Sequence, residues 1–149
     1  MVGNHTRIAM GCDHAGFALK EHLKSVIQSK GIVVEDFGCF SEERVDYPDM
    51  IHPLARSVDN GSIQTGIIIC GSGNGVAMVA NKYAGVRAAL CWSEEISALA
   101  RQHNDANILA LPGRFISREL AERIVFIFLE TGFEGGRHEI RVQKIPPKA

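Results

Sequence analysis

Little in this 149-residue sequence points to a metal, a membrane or a nucleic acid. Its four cysteines (12, 39, 70 and 91) lie far apart, and no Cys-x-x-Cys pair is present to suggest a metal or redox motif. Reduced thiols in a cytoplasmic protein are the simplest reading. No apolar run approaches the roughly 20 residues that span a bilayer. The opening Met-Val-Gly-Asn-His-Thr-Arg runs straight into a strand-like segment and lacks the apolar core of a signal peptide. A net charge of −1 leaves no basic excess to neutralise nucleic-acid phosphates. Repeats, linkers and low-complexity tracts are absent as well. What remains is ordinary for a globular chain, 46% hydrophobic and 22% charged. Its length suits one domain, 1–149, with a substantial core.

Strand-like and helix-like segments alternate. Arg7–Cys12 reads as a strand and is followed by a helix over about 16–30, with Leu19, Leu23, Val26 and Ile27 on its apolar face and Gly31 as its stop. A strand over 32–37 precedes a helix that Pro48 opens and Gly61 ends, with Ile51, Leu54, Ala55 and Val58 inward. Pro53 costs little there if it lies in the first turn. A strand over Gly66–Cys70 leads to a helix over about 74–83, and a fourth strand covers 86–92. Ser93 caps the next helix, with Glu94 and Glu95 in its first turn. A fifth strand spans 107–111, and Ser117 caps a long helix whose Leu120, Ile124, Phe128 and Leu129 face the core. The pattern predicts a doubly wound α/β fold, a Rossmann-like three-layer sandwich on a five-stranded parallel sheet, with a helical C-terminal tail. Ligands in such folds sit at the C-terminal strand ends, here the loops 12–16, 38–48, 71–75, 92–94 and 112–116.

The densest signal is Gly66-Ile-Ile-Ile-Cys-Gly-Ser-Gly-Asn-Gly75. A strand buried on both faces ends in Cys70, and glycines at 71, 73 and 75 let the backbone approach a ligand closely. Successive N–H groups in such a loop suit an anion or a developing oxyanion, and Cys70 sits where a thiolate would be held. The loop is not Gly-x-Gly-x-x-Gly, because position 76 is Val, and it lacks the Lys-Ser/Thr of a nucleotide loop. A tyrosine-phosphatase-like loop would need Arg at that same position. Taken alone, Cys70 reads more readily as a small buried hydrophobe. Cys12 also ends a strand, so position by itself decides nothing. Asp13 could simply cap a helix beside a solvated His14, and His103 could be a partner of a helix C-terminus. Tyr47 could pack under a loop. In the tail, Arg137 and Arg141 share a face if 137–141 is helical, a pairing that suits a phosphate between them.

Taken together, six segments resemble one family along nearly the whole chain: Gly11-Cys-Asp-His-Ala-Gly-Phe17, Asp46-Tyr-Pro48, Ile69-Cys-Gly-Ser-Gly-Asn-Gly75, Ala80-Asn-Lys82, Arg101-Gln-His-Asn-Asp105 and Glu134-Gly-Gly-Arg-His138 with Arg141. The resemblance is to type B ribose-5-phosphate isomerases, in the group that includes galactose-6-phosphate and allose-6-phosphate isomerases. It implies a cofactor-free and metal-free aldose–ketose interconversion. The family's base is either a cysteine ending the third strand or a glutamate after the glycine loop. With Cys70 present and Val76 at the glutamate position, the chain resembles the cysteine type.

The resemblance implies Cys70 as base, the N–H groups of Gly71, Ser72, Gly73, Asn74 and Gly75 around the enediolate, and Ser72 as a proton carrier between oxygens. His103 would open the sugar ring, with Asp13 as a possible partner and Asn104 as a substrate contact. Tyr47 would line the sugar site. His14, Arg137 and Arg141 would hold the phosphate, with Arg114 a weaker candidate. It also implies a homodimer or tetramer whose sites are shared between chains, with neither nucleic acid nor membrane as partner. The alternatives are the same chemistry on allose or galactose 6-phosphate, a sugar-phosphate sensor without turnover and, less well supported, a Cys70 hydrolase.

Overall fold

A computed structural model describes residues 3–149. Five strands, β1 (Arg7–Cys12), β2 (Val33–Asp36), β3 (Gly66–Cys70), β4 (Ala88–Leu90) and β5 (Ile108–Pro112), form one sheet in the order β2-β1-β3-β5-β4. Every pairing is parallel, as the alternation of segments predicts. The helices are α1 (Phe17–Ser29), α2 (Tyr47–Asp59), α3 (Asn74–Ala80), α4 (Glu94–Asn104), α5 (Arg118–Glu130) and α6 (Arg137–Gln143). Helices α1, α4 and α5 cover one face of the sheet, and α2 and α3 cover the other.

The pleat of the strands divides the core in two. Ile67 and Ile69 of β3 pack with Leu109 and Leu111 of β5 toward α1, α4 and α5. Ile68 and Cys70 pack with Ile108 and Ala110 toward α2 and α3. All five residues of β3 are buried, as expected for the middle of a covered parallel sheet. Ser93 and Ser117 do cap their helices, accepting from the amides of Ile96 and Leu120.

Four expectations need correction. Pro53 lies in the second turn of α2, not the first. It is exposed, so water can serve the Asp49 carbonyl that proline leaves without a donor. Helix α3 stops at Ala80 rather than Tyr83, because Asn81 turns its side chain onto the neighbouring strand. The Asn81 amide donates to the Ala88 carbonyl at 3.0 Å and accepts from the Ala88 N–H at 2.8 Å. Strand β4 is correspondingly short: the Arg87 N–H goes to the Asn107 side chain at 2.8 Å, and Trp92 lies beyond the strand, exposed. The fourth correction concerns α1, where Lys20, rather than Val26, completes the buried face. Lys20 is fully buried, with its Nζ 2.7 Å from both Asp36 carboxylate oxygens and 2.8 Å from the Cys39 carbonyl.

Candidate active site

From β1 the chain passes to β2 on one side, and β3 lies on the other, so the crevice at the C-terminal ends of β1 and β3 is the sheet's switch point. A cleft of about 440 Å³ opens there, lined by Asp13, Tyr47, Cys70, Gly71, Ser72, Gly75, Arg114 and Phe115. Four of the five loops marked by the sequence supply it; loop 92–94 does not.

Cys70 ends β3 with its side chain on the α2/α3 face, and its Sγ accepts a hydrogen bond from the Gly73 N–H at 3.1 Å. That bond is possible because Gly73 is left-handed, with φ +76°; a Cβ there would also run into Leu90. Cys12 illustrates the contrast. It faces the opposite layer, with its Sγ 3.8 Å from that of Cys39, and burial pushes its thiol far up, out of reach of a useful thiolate. Cys91 is likewise pushed up to about 12 by burial. Of the two strand-ending cysteines, the pleat turns Cys70 toward the cleft.

Asp13 is buried and shaped by the turn into α1: its Oδ1 accepts from the amides of Ala15 and Gly16 at 3.0 and 3.1 Å. Its second oxygen is not engaged in that turn. The Val45 N–H donates to His14 Nδ1 at 3.3 Å, so in the neutral ring Nε2 carries the proton. Tyr47 stands at the start of α2 with its ring over Gly75, where any Cβ would fall 2.6 Å from Tyr47 Cζ. Ser72 Oγ accepts from the Asn74 amide at 3.3 Å. Arg114 follows β5; its N–H donates to the Gly71 carbonyl at 3.0 Å, and its guanidinium lies over Gly71. This adjacency to the cysteine loop makes Arg114, among the described residues, the one arginine lining the chain's own cleft. Val76 is fully buried in the α2/α3 core, so the position where a glutamate base could stand is occupied by packing.

The remaining candidates gather elsewhere. His103 and Asn104 end α4, and Arg137 and Arg141 are both exposed on α6, one turn apart as the tail reading requires. None of these four lines the Cys70 cleft. Asn104 instead borders a groove with Tyr83, Ala89 and Ile145. The Glu134 N–H ties the tail to α4 by donating to the Gln102 carbonyl at 3.1 Å, and Arg101 Nε of α4 donates to the carbonyl of Thr131, the C-cap of α5, at 3.1 Å. Single-chain geometry thus assembles a thiol, a carboxylate, amide donors and one guanidinium in one place. An imidazole and two guanidiniums stand in another.

Two residues of interest carry no role in the sequence reading. Phe115, 76% exposed, lines the cleft beside Arg114; its place in a marked loop was the available signal. His138 is buried, and its ring stacks on His103 with centroids 4.3 Å apart and planes 10° from parallel. Its Nε2 lies 3.7 Å from Glu134 Oε2. Burial first, and then the charges of His103, Arg137 and Arg141, hold the His138 imidazole below its usual range, against the pull of Glu134. Potential ligand atoms of His103, Glu134 and His138 lie within 4.8 Å of one another. A cation bound to two imidazoles must lie in both ring planes, however, and stacked parallel planes have no such point between them. As arranged, this is a stacked pair and not a metal cage.

The profile of the Ribose/Galactose Isomerase family matches residues 8–145. Ribose-5-phosphate isomerase B of Escherichia coli K12 is 45% identical over 139 residues, covering 93% of each chain. The crystal structure of a ribose 5-phosphate isomerase from Thermotoga maritima superposes with a TM-score of 0.94 at 50% identity, over 97% of this chain and all of that one. The structure of ribose-5-phosphate isomerase B from Mycoplasma genitalium with bound ribulose-5-phosphate gives 0.89 at 43% identity, over 93% of each chain. With the cleft in place at the switch point and the match running through both groups of residues, the chain belongs to the ribose/galactose isomerase family.

Proposed function

We propose that this protein interconverts ribose 5-phosphate and ribulose 5-phosphate through an enediolate, with Cys70 as the base. The observation that carries the reading is the Cys70 thiol itself. It lies at the end of β3, bonded by the Gly73 N–H and open to a cleft of sugar-phosphate size, in a fold shared with a relative solved with ribulose-5-phosphate. Aldose–ketose isomerisation takes the proton from C2 and returns one to C1, and negative charge appears on oxygen between the two steps. The Cys70 thiolate takes that proton. Loop amides from Gly71 to Gly75 hold the oxygens, and Ser72 passes a proton between O1 and O2. Tyr47 closes the sugar site over Gly75, and Asp13 hydrogen-bonds the substrate from the β1 side.

His103 opens the furanose, Asn104 contacts the sugar, and Arg137 and Arg141 clamp the phosphate with His14 and Arg114. Because His103, Asn104, Arg137 and Arg141 stand away from the chain's own cleft, they reach the substrate from a second copy. The working unit is then a homodimer or a tetramer of one 1–149 domain per chain, and it acts in the cytoplasm. No helix among the described residues is long and apolar enough to cross a membrane.

The test is reversible isomerisation by purified protein, with allose and galactose 6-phosphates as competitors. Wild type should turn over ribose 5-phosphate preferentially, and Cys70→Ala should lose roughly 10²–10⁴-fold in kcat. Equal rates for Cys70→Ala and wild type would remove the thiol from the mechanism. A preference for a six-carbon sugar would reassign the substrate, and a folded protein without turnover of any of the three would be a sensor.

A further inference from the structure

Resting on that reading of His103, we infer that His138 is a positioning residue for it, holding the ring-opening imidazole in one plane by stacking. A histidine in the last turn of a helix has two free side-chain torsions, and ring opening demands a nitrogen aimed at one hydroxyl. Here the last turn of α4 meets the tail, and the two imidazoles lie face to face at 4.3 Å and 10°. His138 is suited to be the fixed member of the pair. It is buried whereas His103 is half-buried, it sits in the first turn of α6, and the Glu134 carboxylate stands 3.7 Å from its Nε2. Glu134 is itself fastened to α4 through the Gln102 carbonyl, so the ring, its carboxylate and the helix that carries His103 form one closed unit. His138 lines none of the Cys70 cleft, and its buried ring is stacked against the more exposed ring of His103. Its action is therefore through His103.

The experiment is a double-mutant cycle on the intact oligomer. His138→Ala should lower kcat for ribose 5-phosphate by roughly 10- to 100-fold, the scale of a mis-set catalytic group, with KM within about twofold. His138→Phe keeps a flat face and should return kcat to within about threefold of wild type. His138→Gln, of similar volume but with no ring, should behave like Ala; it serves as the second variant if Ala does not fold. In a His103→Ala background, His138→Ala should add no further loss, because a residue that works only through another has nothing left to position. Losses that multiply in the double variant, a loss confined to KM, or a Phe variant as poor as Ala would overturn the inference. If His103→Ala keeps full turnover, the ring-opening assignment itself falls and takes this inference with it. If His103→Ala is impaired and His138→Ala and His138→Gln are not, the inference alone falls.

Discussion

Replacing Asp36 by asparagine should destabilise this protein more than removing the lysine it serves. Lys20 Nζ is fully buried, with both Asp36 oxygens at 2.7 Å, the Cys39 carbonyl at 2.8 Å and the rings of Phe17 and Phe40 at 5.5 and 5.1 Å. Asp36→Asn keeps the shape but leaves an ammonium in the core with carbonyl groups, ring faces and the half-exposed Glu21 carboxylate at 3.2 Å. Breaking a buried pair from one side costs about 3–5 kcal/mol, and Glu21 places the expectation at the lower end, about 3 kcal/mol. Lys20→Met instead leaves Asp36 with Lys24 Nζ at 3.0 Å and the Gly38 amide at 2.9 Å, while an apolar chain of similar length fills the space. That change should cost about 1 kcal/mol. The double variant should recover much of the loss of Asp36→Asn. Urea unfolding with linear extrapolation measures all three. A Lys20→Met variant as unstable as Asp36→Asn would refute the account.

Two further expectations concern pH and the sugar site. Burial works against the Asp36 carboxylate, but hydrogen bonds from Lys20, the Gly38 amide and Lys24 outweigh it and hold its pKa below the ordinary 3.8. With the folded value the lower one, this stabilisation is present above about pH 4 and is lost as the pH falls through 3.8 and below. Acid unfolding of Asp36→Asn should therefore be shallower in that window than wild type, and parallel curves would count against it. Gly75→Ala should push the Tyr47 ring aside, since its Cβ would sit 2.6 Å from Cζ, and should raise KM for ribose 5-phosphate by roughly tenfold, about 1.4 kcal/mol of binding. An unchanged KM would show that Tyr47 does not close the site.

Strands β1 and β3 were legible to the residue because each combines a dense β-branched or apolar run with a sharp glycine or aspartate boundary. The ends of β4 and α3 were not. They are settled by Asn81 and Asn107 side chains bonding backbone far away in sequence, which local periodicity does not register. Lys20 was hidden for a related reason: hydropathy places a lysine outside, and only the distant Asp36 and Cys39 carbonyl bring it in. At the site, spacing pointed to Cys70 and its loop but left Cys12 as a rival. The pleat separates them, since one faces α2 and the other α1. That His103 and Arg137 stand apart from Cys70 in one chain is not a property of any local segment, and only the family resemblance anticipated it. His138 lay inside a quoted motif yet had no visible partner, because its stacking mate is 35 positions earlier on another helix.

The Asn81 amide does more than end a helix. A parallel sheet that stops at a short outer strand offers the unpaired groups of that strand to any passing extended chain, a familiar route to aggregation and strand exchange. By occupying both the N–H and the carbonyl of Ala88, Asn81 impersonates a sixth strand one residue long. At that residue the border of the sheet is sealed to strand addition from another molecule. The outer strand β4 is thereby closed at its first residue by the chain's own helix terminus rather than left open for a strand from elsewhere.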